Sequence, residues 1–454
     1  MLDLPALGPR GPYRTRARRT LADVTGQPVA ELSVVPPLFT HRTVSALRAA
    51  PPLPPNDRAA ALTEAGHSFA KSTVDGMTPD EYDHAVSRVG GLPIREVRTA
   101  RENIGARLAR TAHSVGFARP VGAAADPRDV RRGAVWVRRG DVFAVHAAGN
   151  HPGTHSLWPA ALALGYRVVV RPSRRDPFTP YRLISALRSA GFGDDRVAML
   201  PTEHDTAASL LDTADLAMVY GGDDVIARYG GSPTVLPQGP GRSKILITRD
   251  TDWRAHLDVL VDSIAGHGGT GCVNATAVLV DGDAAALADA LAGRLAALPS
   301  RPPEDEQAVL PVQPTSVARA LESFLLARAE GTAPVLADVV ADLGDGSSVL
   351  RPSVRLLDRA DAPQAGIELP FPCVWVAPWS PADGLAPLRH TLALTVLTGD
   401  GRLVDDLLAE PTVGNVHVGD HPTHVVDPDL PHDDYLATFL MRAKTFIRTF
   451  SEEA

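Results

Sequence analysis

Gly266-His267-Gly268-Gly269-Thr270-Gly271-Cys272-Val273-Asn274 decides the reading of this chain. It carries one of only two cysteines in 454 residues, and four of the six residues before the sulfur are glycines. Upstream, residues 257–264 read as the end of an apolar helix. Downstream, Ala275-Thr276-Ala277-Val278-Leu279-Val280 reads as a buried strand. A cysteine on a glycine-rich hinge between helix and strand has open backbone around it, so a carbonyl carbon can approach the sulfur. Nucleophilic catalysis needs that access together with a thiolate. The same stretch also fits a small buried hydrophobe beside a turn, the commoner fate of a free cysteine. The surrounding pattern has to choose between the two.

Outward from the hinge, strands and helices alternate. Towards the N-terminus the spacing predicts strands over 142–148, 167–171, 196–200 and 216–220, with helices over 156–164, 181–190, 207–211 and 223–229 between and after them. Strands over 244–248 and 275–280 flank the helix 256–264 and the hinge, and helices follow over 284–298 and 315–330, with a charged Pro-containing loop at 301–306 between them. Strands are expected at 373–376, 392–397 and 413–418, and a last helix at about 433–444. Continuous apolar strands separated by helices predict a parallel sheet covered on both faces. Such sheets bind ligands at the carboxyl ends of their strands.

Before this region the periodicity is helical over 57–113, with Pro79 as a helix-start signal. Residues 1–56 are rich in proline and arginine and end on Pro51-Pro52-Leu53-Pro54-Pro55, which predicts an irregular wrapping segment with room for short strands. Residues 133–145 switch to period two, and Gly140-Asp141 divides them like a hairpin turn. The sequence shows no internal repeat.

Composition excludes several classes. The length suggests roughly three domains at about 150 residues each. Hydrophobic residues make up 44% and charged residues 22%, and the net charge is −8. This balance gives no sign of a nucleic-acid partner. Arg10, Arg14, Arg16, Arg18 and Arg19 cluster near the start without the apolar run of a secretory leader, so a solvated segment is expected. No apolar run approaches the ~18 residues that span a bilayer, so no membrane association is expected. Two cysteines fit a reducing cytoplasm better than a disulfide framework. CxxC and HExxH motifs are absent. His146, His151 and His155 lack a carboxylate at metal-ligand spacing, so no metal is expected. Cys373 lies in a predicted strand and reads as core.

The dinucleotide fingerprint GxGxxG is also absent. Gly221-Gly222, after the strand at 216–220, is the candidate in its place, because two glycines opening a helix can turn N–H groups to a pyrophosphate. A plain strand-to-helix turn would read the same way.

Five short pieces, in this order, resemble the aldehyde dehydrogenase superfamily over roughly residues 60 to 420. Asn150-His151-Pro152 follows the first core strand, where the family carries an asparagine that helps bind the oxyanion. Arg171-Pro172-Ser173 ends the next strand, where the family has Lys-Pro-Ser contacting the cofactor ribose. Gly221-Gly222 stands where the family has Gly-Ser under the pyrophosphate, and Cys272 stands at the nucleophile. Glu368-Leu369-Pro370-Phe371-Pro372 is similar to Glu-x-Phe-Gly-Pro, whose glutamate holds the nicotinamide ribose, 96 residues beyond the cysteine. The resemblance implies an α/β fold, with a parallel-sheet dinucleotide-binding domain and an α/β catalytic domain. It also implies a β-hairpin and C-terminal oligomerisation element that makes a homodimer or homotetramer. The expected division is an N-terminal segment 1–56, a nucleotide-binding domain 57–237 with its hairpin at about 131–145, a catalytic domain 238–412 and a C-terminal return 413–454.

Two departures shape the expected chemistry. Hydrolytic members carry a glutamate base in a Glu-Leu-Gly-Gly-Lys-like segment. Here that segment reads Gln238-Gly239-Pro240-Gly241-Arg242-Ser243, with Gln238 34 residues before Cys272. An amide takes no proton from water at neutral pH, so hydrolysis of a thioester on Cys272 loses base assistance worth about 10²–10⁴ in rate. Members that pass the acyl group to or from a thiol do not need that base. The long-chain acyl-thioester reductases of the bioluminescence type are the group this chain resembles on that point.

The second departure follows Ser173. Many NAD-using members have a glutamate there for the adenosine ribose, and this chain has Arg174 and Arg175. Guanidinium groups bind a 2′-phosphate that a carboxylate would repel, which favours NADP over NAD.

The expected chemistry is attack by Cys272 on a carbonyl carbon. The Asn150 amide and the Cys272 N–H hold the oxyanion, and coenzyme A or a carrier thiol exchanges the acyl group. His267 and His151 are candidate proton donors. The rival readings are a conventional hydrolytic aldehyde dehydrogenase, a degenerate structural or regulatory homologue, and a thiol acyltransferase without a nicotinamide.

Overall fold

The computed structural model describes residues 1–203 and 207–448. The strands that the hydrophobic runs foretell assemble into two seven-stranded sheets. In the first, Val142–His146, Arg167–Arg171, Val197–Met199, Leu216–Tyr220 and Val235–Gln238 run parallel, with Val142–His146 between Arg167–Arg171 and Leu216–Tyr220. Chain order reverses around this central strand, so a crevice opens beyond its carboxyl end and that of Leu216–Tyr220. Every residue of Val142–His146 is buried, and the strand carries the continuous apolar run that helices on both faces demand.

The second sheet holds Ser243–Ile247, Ala275–Val280, Ser353–Leu356, Cys373–Pro378, Thr391–Leu397 and Val413–Val418 in parallel, with Ala333–Leu336 antiparallel at one edge. Ser243–Ile247 and Ala275–Val280 are adjacent, and the register slips between Ser243 and Lys244. Such a bulge re-aims the chain beside a site. Cys373, in its strand, is 5% exposed and packs in the core.

Helices Pro55–Lys71, Pro79–Gly90 and Ile94–Ser114 fill the helical region read from the sequence. Thr78 caps the second of them, accepting from the Glu81 N–H while the Glu81 carboxylate accepts from the Thr78 N–H. No helix among the described residues is long and apolar enough to cross a membrane.

The structure corrects four readings. Residues 1–56 hold the short strands there was room for, but these join sheets and a helix follows: Leu2–Leu4, Arg18–Ala22 and Pro28–Ser33 form a sheet of their own, Ala6–Gly8 and Gly11–Tyr13 extend the first seven-stranded sheet, and Pro37–Ala49 is helical. Residues 133–145 are not a hairpin. Arg132–Arg138 pairs antiparallel with Met441–Ile447, whereas Val142–His146 enters the seven-stranded sheet. The last helix is only Leu436–Leu440, after which the chain runs extended. Val413–Val418 pairs with Thr391–Leu397 and so belongs to the second seven-stranded sheet, not to a separate return. The C-terminal segment expected to 454 ends, for description, at residue 448.

Candidate active site

Between the two sheets lies a cleft of about 1310 Å³. Asn150, Gly221, Gly222, Gln238, Cys272 and Glu368 all line it. Residues 120 apart in sequence meet here: the Asn150 Nδ2 donates to the Thr270 carbonyl at 2.9 Å, two residues before the sulfur. The second N–H of that amide remains for another acceptor.

The hinge turns sharply. His267, Gly268 and Gly269 have φ of 54°, 69° and 64°, three successive left-handed residues in which glycine carries little cost and histidine more. Asn274 pins the turn: its Nδ2 donates to the carbonyls of Ser263 at 3.1 Å and Gly266 at 2.7 Å, and its Oδ1 accepts from the Gly271 N–H at 2.9 Å. The Cys272 carbonyl accepts from the Ser243 Oγ at 3.0 Å. Sequence reasoning gave Asn274 no role, although a buried polar residue two places after the sulfur was the available signal.

Cys272 is partly exposed, unlike Cys373. Burial of the sulfur, and then the Glu368 carboxylate, push its thiol up to about 12. The site thus holds a protonated thiol until a positive charge or a base arrives.

Glu368 is itself raised by burial, while backbone N–H groups of Arg242 and Gly241 favour its charged form. Its Oε2 accepts from the Arg242 N–H at 2.8 Å. Arg242 grips both oxygens of Asp223, at 2.6 and 2.7 Å, and so offsets an acidic charge in the first turn of helix Asp223–Tyr229. That helix opens on Gly222, and its first intrahelical bonds run from Val225 and Ile226 back to the Gly222 carbonyl. The N–H groups at its start are then free to face an anion. Gly221 donates to the Gln238 carbonyl at 3.0 Å, holding Gln238 beside this turn.

The remaining predicted residues sit off the cleft wall. Arg171 turns its Nε to the Thr202 Oγ1 at 2.9 Å. Ser173 lies under Gly149, where a Cβ would fall 2.1 Å from its Oγ. Arg174 pairs with Glu203 at 2.5 Å, a carboxylate it shares with Arg19. Phe371 is 1% exposed and packs in the catalytic-side core. Arg175, in contrast, lines the cleft.

Five histidines line the cleft, and three of them, His151, His267 and His424, cluster together. The rings of His151 and His267 stack at 5.0 Å with 23° between planes, and His424 tilts against His267 at 4.6 Å. Burial and then His424 push His267 down to about 4. Asp262 lies 3.1 Å from the His424 Nε2. Among the described residues, no three His, Cys, Asp or Glu side chains are placed to hold a metal ion.

A partly exposed cysteine on a glycine hinge and an asparagine amide line one cleft between two parallel, helix-covered sheets, which defines an α/β protein with a cysteine in its central cleft. Residues 142–432 match the aldehyde dehydrogenase family, and the chain belongs to that family. It is 25% identical over 146 residues to malonate-semialdehyde dehydrogenase 2 of Bacillus mycoides (strain KBAB4), covering 31% of this chain and 30% of that protein. It is likewise 25% identical over 146 residues to a probable methylmalonate-semialdehyde/malonate-semialdehyde dehydrogenase [acylating] of Caenorhabditis elegans, over 30% of this chain and 28% of that one. The chain thus spans about a third or less of the curated relatives it matches. Its fold is similar to that of the indole-3-acetaldehyde dehydrogenase AldA of P. syringae, solved with NAD+ and IAA, with a TM-score of 0.84 at 17% identity over 98% of this chain and 96% of that one.

Proposed function

We propose that this protein is a nicotinamide-dependent oxidoreductase that interconverts an aldehyde and an acyl thioester through a covalent adduct on Cys272. The observation that carries this reading is the pairing of an accessible Cys272 with Gln238, an amide where a water-activating carboxylate would stand, on the walls of one cleft.

The residues present fit a dinucleotide. The start of helix Asp223–Tyr229 offers N–H groups to the pyrophosphate, with Asp223 held aside by Arg242. Glu368, on the cleft wall, would hold the nicotinamide ribose, and Arg175, also on the wall, would hold an adenosine phosphate. This arrangement supports NADP over NAD. When bound, the nicotinamide takes up or returns the hydride.

Cys272 does the rest with its neighbours. The thiol first gives up its proton to solvent; the thiolate sulfur then bonds to the carbonyl carbon as the C=O π pair moves to oxygen, and the free Asn150 N–H and the Cys272 backbone N–H hold that oxyanion, each such donor worth a few kcal/mol. A thioester on Cys272 then survives water, because Gln238 takes no proton from it. A second thiol, from coenzyme A or a carrier arm, removes the acyl group and restores Cys272. The acylating activity named for the Caenorhabditis elegans relative supports this reading.

The acyl end of the cleft is polar. Arg107, on helix Ile94–Ser114, lines it and donates to the Ser156 Oγ at 3.4 Å. This half-buried guanidinium has only a distant hydroxyl as hydrogen-bond partner, with the Asp427 carboxylate acting on it from further off, and it can hold a substrate carboxylate. Together with the semialdehyde relatives, this supports a short acidic aldehyde over a long hydrocarbon one. The family resemblance supports a cytoplasmic dimer or tetramer. The exposed strand Met441–Ile447 is the edge it would use.

The deciding experiment is a nicotinamide fluorescence assay with simple and carboxylate-bearing aldehydes, with and without coenzyme A, using NADP and NAD. Turnover that requires coenzyme A supports the proposal. Acid produced equally fast without a thiol favours a conventional hydrolytic aldehyde dehydrogenase.

A further inference from the structure

Resting on that reading of the cleft, we propose that the His151 Nε2–H is a further oxyanion donor beside Asn150, a role for a neutral imidazole and not for an acid or base.

The tautomer is set by the backbone. His151 opens the turn Pro152–Ser156, and its Nδ1 accepts from the Gly153 N–H at 3.1 Å. A ring nitrogen that accepts carries no proton, so the proton of the neutral ring is on Nε2. That Nε2 is buried and has no hydrogen-bond partner among the described residues, while the residue lines the cleft. Buried donors are rarely left unmatched, and each one left so calls for a ligand.

Its neighbours keep the ring neutral and in place. His267 stacks on it at 5.0 Å, and His424 tilts against His267 on the far side. Burial, then His267 and His424, hold His151 down at about 3, so it stays uncharged at neutral pH. A neutral imidazole donates a hydrogen bond to developing negative charge without surrendering the proton.

Asn150 makes the second donor useful. One of its two amide N–H groups is spent on the Thr270 carbonyl. With the Cys272 backbone N–H the remaining Asn150 N–H makes two donors; an oxyanion accepts a third, and His151 is the next residue in the chain.

The test uses three variants of the whole protein with the best aldehyde from the fluorescence panel. His151→Phe keeps a ring in the stack and deletes the donor, His151→Met deletes it with a flexible chain, and His151→Gln returns an N–H near the Nε2 position. Expected for Phe and Met is a fall in kcat of about 10²-fold, the usual cost of one oxyanion donor, with KM and nucleotide affinity little changed and with recovery in Gln. A kcat unchanged in Phe and Met, a loss confined to KM, or an equal loss in all three overturns the inference. Wild-type protein that turns over no aldehyde overturns the proposed function itself, and this inference with it.

Discussion

Gly241 lies so close behind Cys272 that a Cβ on it would fall 1.7 Å from the Cys272 carbonyl oxygen. The two sit on different strand ends, and only a hydrogen side chain lets them meet. Gly241→Ala must therefore push the nucleophile loop away from strand Ser243–Ile247. Overpacking of this kind costs about 1–3 kcal/mol. The expected outcome is that loss in urea unfolding together with a large fall in kcat. A stable and fully active variant would mean that the loop tolerates displacement.

Cys272→Ala should abolish turnover and leave nucleotide binding intact, since the residues that fit the dinucleotide are on other segments. Fluorescence titration with reduced nucleotide checks the second half. Cys373→Ala, in the core, is expected to lower stability and retain turnover. Retained turnover in Cys272→Ala would remove the covalent scheme.

Glu368 raises the Cys272 thiol, second only to burial. The sign follows directly: a nearby carboxylate disfavours the thiolate, so removing its charge lowers the thiol pKa. Glu368→Gln should shift the pH profile of iodoacetamide labelling to lower pH in the protein without nucleotide. An unmoved profile would leave burial as the whole cause.

Much of this was legible in the chain. Strands such as Val142–His146 and Ala275–Val280 are apolar runs between turn residues, and their period and length settle them locally. The hinge was legible because glycine spacing and a rare residue coincide. What failed was pairing between distant segments. Gly140-Asp141 looks like a hairpin turn whichever strands it joins, but the partner of Arg132–Arg138 is Met441–Ile447, about 300 residues away, and nothing local encodes that. The extended run after residue 440 was visible as alternation of Met441, Ala443 and Thr445 with Arg442 and Lys444, yet the preceding helical spacing masked it. Arg174 illustrates the same limit: its pairing with Glu203, far along the chain, is not encoded in the motif around it.

That pairing divides the two arginines. Arg174 is already neutralised by Glu203, whereas Arg175 lines the cleft. Arg175→Glu should raise KM for NADP about tenfold or more, the loss expected on swapping a phosphate partner for a like charge, and change KM for NAD little. Arg174→Glu should do less. Equal effects on both nucleotides, or a larger effect from Arg174, would place the adenosine end elsewhere.

Gln238 is the most informative position, because one atom pair separates two chemistries. Its strand partner is Tyr220, and its carbonyl holds the Gly221 N–H, so the neighbouring strand fixes the backbone that presents the side chain to the cleft. Gln238→Glu changes the amide to a carboxylate of the same shape without disturbing that frame. A carboxylate there can take a proton from water, and base assistance of this kind is worth about 10²–10⁴ in rate. The variant should form acid from aldehyde without added thiol at a rate raised by at least about tenfold, while its coenzyme A-dependent flux falls as water competes for the thioester. Product analysis by mass spectrometry with and without coenzyme A separates the two fates. Were acid formation to stay flat in Gln238→Glu, the lack of a base would not be what protects the thioester, and exclusion of water from the cleft would have to do so.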